Sequence, residues 1–249
     1  MSRTDIEVLA AGRGGRAAFT VRTDGPRGRG HLRARVLTRG PVSVQIALVA
    51  EGALLLAGDD ISVGIRVGSG MRLDVIEPSG TVAYDMRGGT ARWQVRINLD
   101  PDAFLSWQGL PFVISAGADV TRDVAIDLAA GSVALLRETL VLGRTGELGG
   151  ALTQRTRASV GGHPLLAEDL TLAPGTSRPA VLGPWRVVDT VSFFGRRAPG
   201  IPMSVPGSHR LELAGPGALF RSLSGEAHAG SLGQAWAALA SVDGRAAAV

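Results

Sequence analysis

The sequence predicts an all-β fold of short strands stacked in a β-helical or sandwich-like arrangement, closed by one or two short C-terminal helices. Three observations carry this expectation. Residues 61–67 (Ile-Ser-Val-Gly-Ile-Arg-Val), 93–99 (Trp-Gln-Val-Arg-Ile-Asn-Leu) and 122–128 (Arg-Asp-Val-Ala-Ile-Asp-Leu) each alternate apolar and polar positions, most weakly at Arg122. Each runs straight into a turn, at Gly68-Ser69-Gly70, Asp100-Pro101-Asp102 and Ala129-Ala130-Gly131, with a second strand expected from Met71, Ala103 and Ser132. The strand ends Val67, Leu99 and Leu128 are 32 and 29 residues apart, the near-constant period of stacked supersecondary units.

The remaining elements follow in chain order. Residues 17–22 and 31–37 read as strands joined by the Gly/Arg/Pro turn from Asp24 to Gly30, and residues 42–48 place Val42, Val44, Ile46 and Leu48 on one side. The repeating region spans about 52–147. Residues 152–160 and 163–172 flank Gly161-Gly162 as a hairpin with a two-residue turn. The stretch from Pro174 to Pro216 is rich in Pro, Gly and Arg, with Phe193-Phe194 as an inward anchor. The period then changes to helical. Ser231 and Gln234 form a capping-box pattern, Leu232, Trp236 and Leu239 fall on one stripe, and a shorter helical turn is expected over Ala218–Leu223. The helical C-terminal segment is therefore set at about 218–242. No strong linker divides the chain, so residues 1–249 are read as a single domain.

Composition narrows the function classes. The chain has 249 residues, 45% of them hydrophobic, enough to bury a sizeable core. There are 35 glycines and only 4% aromatics, which suits many short strands joined by tight turns. All 26 basic residues are Arg, there is one Tyr, and there is no Cys. Few groups can titrate above neutrality, so a formal net charge of only +4 produces a pI near 10.9. The arginines are dispersed, densest at Arg13/Arg16 and Arg27/Arg29 with Arg33/Arg35, and do not form the concentrated basic element of a nucleic-acid binder. The lack of Cys excludes disulfides, thiolate metal ligands and Cys nucleophiles. The first fifteen residues show no apolar core of a signal peptide. The most apolar stretch, 42–57, is broken by Gln45 and Glu51 and is too short to span a bilayer. A cytoplasmic protein with no membrane and no nucleic-acid partner is expected.

Catalytic signatures are missing. The four histidines, His31, His163, His209 and His228, form no metal-binding spacing, and no nucleophile elbow, Walker or Rossmann pattern occurs. Asp59-Asp60 and Glu168-Asp169 are sequence neighbours that a strand sends to opposite faces, so neither is an acid/base dyad. Three acidic residues stand out by position: Asp59 after Gly58, Glu138 late in the third unit, and Glu147 after Gly146. Carboxylates can hold a divalent cation weakly, although turn chemistry and solvation explain such positions more simply.

The ordered set of short motifs resembles the urease accessory protein family UreD/UreH. Gly58-Asp59, the turn Val67-Gly68-Ser69-Gly70, Leu105-Ser106-Trp107, Gly117-Ala118, Leu136-Arg137-Glu138 and Gly143-Arg144-Thr145-Gly146-Glu147 follow the family's order. The match is good over about residues 15–175. The segment from Val75 to Tyr84, which includes Glu77, departs from the family's T-T-Q-x-x-x-K-x-Y pattern: the Thr pair and Lys are absent and the Gln is not kept, and Ser106 replaces the Glu of L-E-W. The resemblance implies a urease-maturation chaperone rather than an enzyme. It would be a scaffold that works with UreF-like and UreG-like proteins, docks on the urease apoprotein and conducts nickel internally. No tightly bound cofactor is expected, only Ni²⁺ in transit, with Asp59, Glu77, Glu138 and Glu147 as candidates to line the route. The alternatives are a β-solenoid protein-binding module unrelated to urease and a carbohydrate-active β-helical enzyme. The latter is disfavoured by so few aromatic sugar platforms.

Overall fold

In a computed structural model, residues 1–10, 16–26, 30–174, 181–203, 207–229 and 232–242 are described. Two large sheets lie face to face. The first, sheet A, contains β1 (Ser2–Leu9), β2 (Ala18–Asp24), β5 (Asp60–Val67), β8 (Ala91–Leu99), β11 (Asp119–Leu128), β13 (Ala151–Val160) and β14 (His163–Leu172), in the order β14-β13-β11-β8-β5-β1-β2. The second, sheet B, runs β16 (Ser208–Glu212), β17 (Gly217–Ser224), β15 (Val187–Phe194), β12 (Val133–Leu142), β9 (Phe104–Gln108), β6 (Arg72–Ile76), β4 (Ser43–Glu51), β3 (His31–Arg39). Two short strands, β7 (Thr81–Ala83) and β10 (Phe112–Ile114), continue beyond β6 and β9 and pair in parallel with each other, and β10 pairs with the end of β12.

The chain alternates between the sheets, so each period is one coil of a solenoid: a strand in sheet A, a turn, a strand in sheet B, then a return. The sequence period is the inter-coil register. Val67 pairs with Leu99 and Leu99 with Leu128, all in parallel. The parallel stack reaches further than the sequence suggests, from β1 against β5 to β13 against β11. Antiparallel hairpins cap it. Gly161-Gly162 turns β13 into β14, both glycines having positive φ, as the tight hairpin requires.

The alternating pattern fills the space between the sheets. Ile65, Ile97 and Ile126 on sheet A and Leu73 and Leu105 on sheet B are each at most 2% exposed. Their phase follows from the two-residue period of a strand, which sends every second side chain into the same core.

A second apolar cluster lies on the outer face of sheet B. Phe104, Leu135, Val191, Phe193 and Phe220 pack there beneath α1 (Gly233–Ser241), which contributes Ala235 and Leu239. Phe193 and Phe194 are both buried, but on opposite faces of β15, so they anchor two different cores.

Two expectations for the C-terminal region are corrected. Ala218–Leu223 is not helical; it lies within β17, paired antiparallel with β15 from Gly217 to Ser224. A short apolar run carries no period of its own, and the free edge of β15 decided its state. The helical segment is therefore Gly233–Ser241 rather than about 218–242. Ser231, the expected cap, lies outside the described residues, as do Arg13, Arg27 and Arg29. Leu232 is the N-cap and makes no side-chain capping bond. Its backbone N–H instead donates to Asp189 Oδ2 at 3.0 Å, from β15. Asp189 is 1% exposed and also accepts from Arg137 Nε and Nη2 and from Thr139 Oγ1, so one buried carboxylate ties the helix to sheet B.

Candidate functional site

The polar exceptions to the strand pattern converge inside the molecule. Arg122 stands in phase with Val120 and Ile126 and therefore points between the sheets, where it is 6% exposed. Parallel register aligns it with Trp93 on β8 and Gln154 on β13. Across from these, Glu138 is in phase with Leu140 on β12, and Glu77 follows β6 in phase with Leu73 and Val75. β6 and β9 end here, and short connecting segments lead to β7 and β10. A cavity of about 80 Å³ at this point is lined by Glu77, Trp107, Leu110, Phe112, Arg122 and Glu138, among others.

The side chains in this slit are tied together. Arg122 Nη1 pairs with Glu138 and also donates to Gln154 Oε1 at 2.8 Å. Gln154 Nε2 donates to Glu138 Oε2 at 2.8 Å. The Arg122 guanidinium sits over the Phe112 ring, 4.3 Å from its centroid, and Phe112 meets Trp93 edge-on. Trp107 Nε1 donates to Glu77 Oε1 at 2.8 Å. Burial pushes the Glu77 carboxyl up to about 7. The Trp107 hydrogen bond, Arg122 and a backbone contact at Leu110 oppose that rise, and the neighbouring Glu138 adds to it.

A second cavity of about 70 Å³ shares Val124, Leu136 and Glu138 with the first and continues between the sheets to Glu168 and Arg221. There Arg221 grips Glu168 with two bonds, at 2.7 and 2.8 Å. The interior thus presents three carboxylates in succession, Glu77, Glu138 and Glu168, with Arg122 or Arg221 beside them. Carboxylate oxygens are hard donors, and a neighbouring guanidinium competes with a cation for them, so a cation held here would be held weakly. Among the described residues no group of three or more His, Asp or Glu could hold a metal ion.

Of the four candidates named from the sequence, Glu77 and Glu138 share the slit, and Asp59 and Glu147 lie elsewhere. Asp59 precedes β5, 6% exposed, and accepts from the Leu56 N–H at 3.0 Å, closing its own turn. Glu147 sits in the loop after β12 and accepts from the N–H groups of Ala116 and Arg144 and from Arg144 Nε. The Arg144 hydrogen bond is the main cause that lowers its carboxyl to about 2. That loop turns on Gly143, whose φ is +77° and where a Cβ would lie 2.6 Å from the Glu147 carbonyl oxygen. Gln154 and Arg221 escaped the sequence reading, and Arg122 and Glu168 were noted there without a place in the site. Their signal was nonetheless present: each is a polar residue on the inward phase of a strand.

Fold and site together define a stacked-coil β protein built around a charged interior slit. Comparison with known proteins gives the family. The model described as "UreD urease accessory protein" matches residues 17–241. A protein of Streptomyces griseus named urease accessory protein UreD 1 is 50% identical over 188 residues, covering 75% of this chain and 72% of that protein. The UreD of Streptomyces coelicolor is 33% identical over 238 residues, covering 90% and 91%. The UreD of Frankia casuarinae is 34% identical over 211 residues, covering 72% and 66%. The chain belongs to the UreD family of urease accessory proteins, which implies a role in urease maturation. The reading as a module unrelated to urease is thereby overturned. No helix among the described residues is long and apolar enough to cross a membrane.

Proposed function

We propose that this chain is a non-catalytic scaffold of urease maturation. It docks on the urease apoprotein together with UreF-like and UreG-like partners, and nickel passes through its interior slit on the way to the urease active site. The observation that carries this reading is the meeting of Glu77 and Glu138 in one cavity between the sheets, with a second cavity, lined also by Glu138, that includes Glu168. A conduit needs sites that attract a divalent cation and release it. Oxygen donors shared with Arg122 and Arg221 meet that need better than a closed set of strong ligands would. Asp59 and Glu147 belong in this reading to the turns that hold the coils in place.

The test is a reconstituted urease activation with purified apo-urease, accessory proteins and Ni²⁺. Omitting this chain should abolish nickel loading. The double variant Glu77→Gln/Glu138→Gln, checked for native secondary structure and for retained assembly with the other components, should slow loading. Full activation without the chain would refute the scaffold. Unchanged loading with the double variant would refute the interior route.

A further inference from the structure

The outer face of sheet A carries a basic trough that the interior slit does not use. Register builds it. Arg96 on β8, Ala125 on β11 and Arg157 on β13 are direct neighbours in one row, and Gln94, Asp123 and Arg155 form the next. Ala125 ends in a methyl group, so a gap of about 240 Å³ remains above it, walled by Arg92, Arg96, Arg155 and Arg157. Among the described residues Asp123 is the only carboxylate lining this gap, and Arg92 and Arg155 share it at 2.8 and 3.5 Å. Arg157 reaches outward to Asp169 at 2.7 Å. Arg96 is exposed and makes no hydrogen bond or ion pair among the described residues. Four guanidinium groups set against two carboxylates, Asp123 and Asp169, leave an excess of positive charge that an incoming anion offsets.

We propose that this trough is a docking surface for an acidic segment of a protein partner, with an Asp or Glu side chain seated over Ala125 between Arg96 and Arg157. A guanidinium presents a planar fork of donors that matches a carboxylate. Discrete carboxylates fit better than a polyphosphate chain, because Asp123, Asp127 and Asp169 stand in or around the trough and would repel a continuous line of negative charge. No aromatic side chain lines the gap to stack a base. This surface is independent of the ion route and stands or falls apart from it.

The experiment uses the full chain and fluorescence anisotropy with two probes, a labelled peptide whose Glu residues are spaced by Gly and Ser and a labelled oligonucleotide of equal charge. The wild type should bind the peptide saturably, more weakly as salt rises. Arg96→Glu should weaken it by about tenfold or more through lost attraction. Ala125→Trp should weaken it similarly by filling the seat without changing charge. Both positions are at the surface, and melting curves confirm that the variants fold. Absence of saturable peptide binding, wild-type affinity in either variant, or tighter binding of the oligonucleotide would overturn the proposal.

Discussion

Glu77→Gln should stabilise this protein, and only above a definite pH. The carboxyl of Glu77 is buried against Trp107, and burial raises it from the ordinary 4.5 to about 7. A raised carboxyl favours its neutral form in the folded state, so the native protein holds a proton here that the unfolded chain has released. Stability therefore falls as pH rises from 4.5 to about 7, and the full penalty applies above that window. The interval, at about 1.4 kcal/mol per pH unit, corresponds to about 3 kcal/mol. Gln keeps the shape and the oxygen that accepts from Trp107 Nε1 but never ionises. Urea unfolding at a series of pH values should show the variant more stable than wild type by up to about 3 kcal/mol at pH 8, about 6–10 °C in Tm for a chain of this size. The two should converge by about pH 4, below the titration window. A difference of the same size at both ends, or none at either, would refute the argument that a desolvated carboxyl causes it. The sign also gives the functional test a control: Glu77→Gln alone gains stability at the assay pH, so a loss of nickel loading in that single variant is not caused by unfolding.

Two further outcomes follow from the packing. Asp189→Ala should cost about 3–5 kcal/mol, because it leaves the Arg137 guanidinium buried without its counter-charge, and it should raise amide hydrogen exchange across Gly233–Ser241, whose first turn it holds. A loss below about 1 kcal/mol, the size expected of an exposed pair, would show that the helix seats without this tie. Ile97→Ala, in the stacked isoleucine column, should cost about 2–5 kcal/mol, whereas Asn98→Ala on the neighbouring outward position should stay within about 0.5 kcal/mol. Equal effects would mean that the inward and outward phases of β8 have been misassigned.

Much of the architecture was legible because a strand's two-residue alternation and a coil's fixed length are both written locally. The ends Val67, Leu99 and Leu128, spaced along the chain, are neighbours in space, since equal coils bring equivalent positions into register. The weak point of that pattern, Arg122, was visible as a flaw and proved to be the floor of the slit. Ala218–Leu223 was misread because its few apolar residues fit either period, and only the edge of β15 could choose between them.

The sequence alone thus determined the repeating all-β stack, the family resemblance and two of the residues that meet in the slit. Tertiary structure decided which carboxylates share a cavity. Glu77 and Glu138 lie sixty-one residues apart yet face one space, whereas Asp59 and Glu147, equally prominent in the text, serve their own turns. The physical reason is that alternation fixes which face a side chain takes, but the gap between two faces is set by where the strands of both sheets stop. Here β6 and β9 end before β7 and β10 begin, and Glu77 and Leu110 of the intervening segments line one cavity with Glu138.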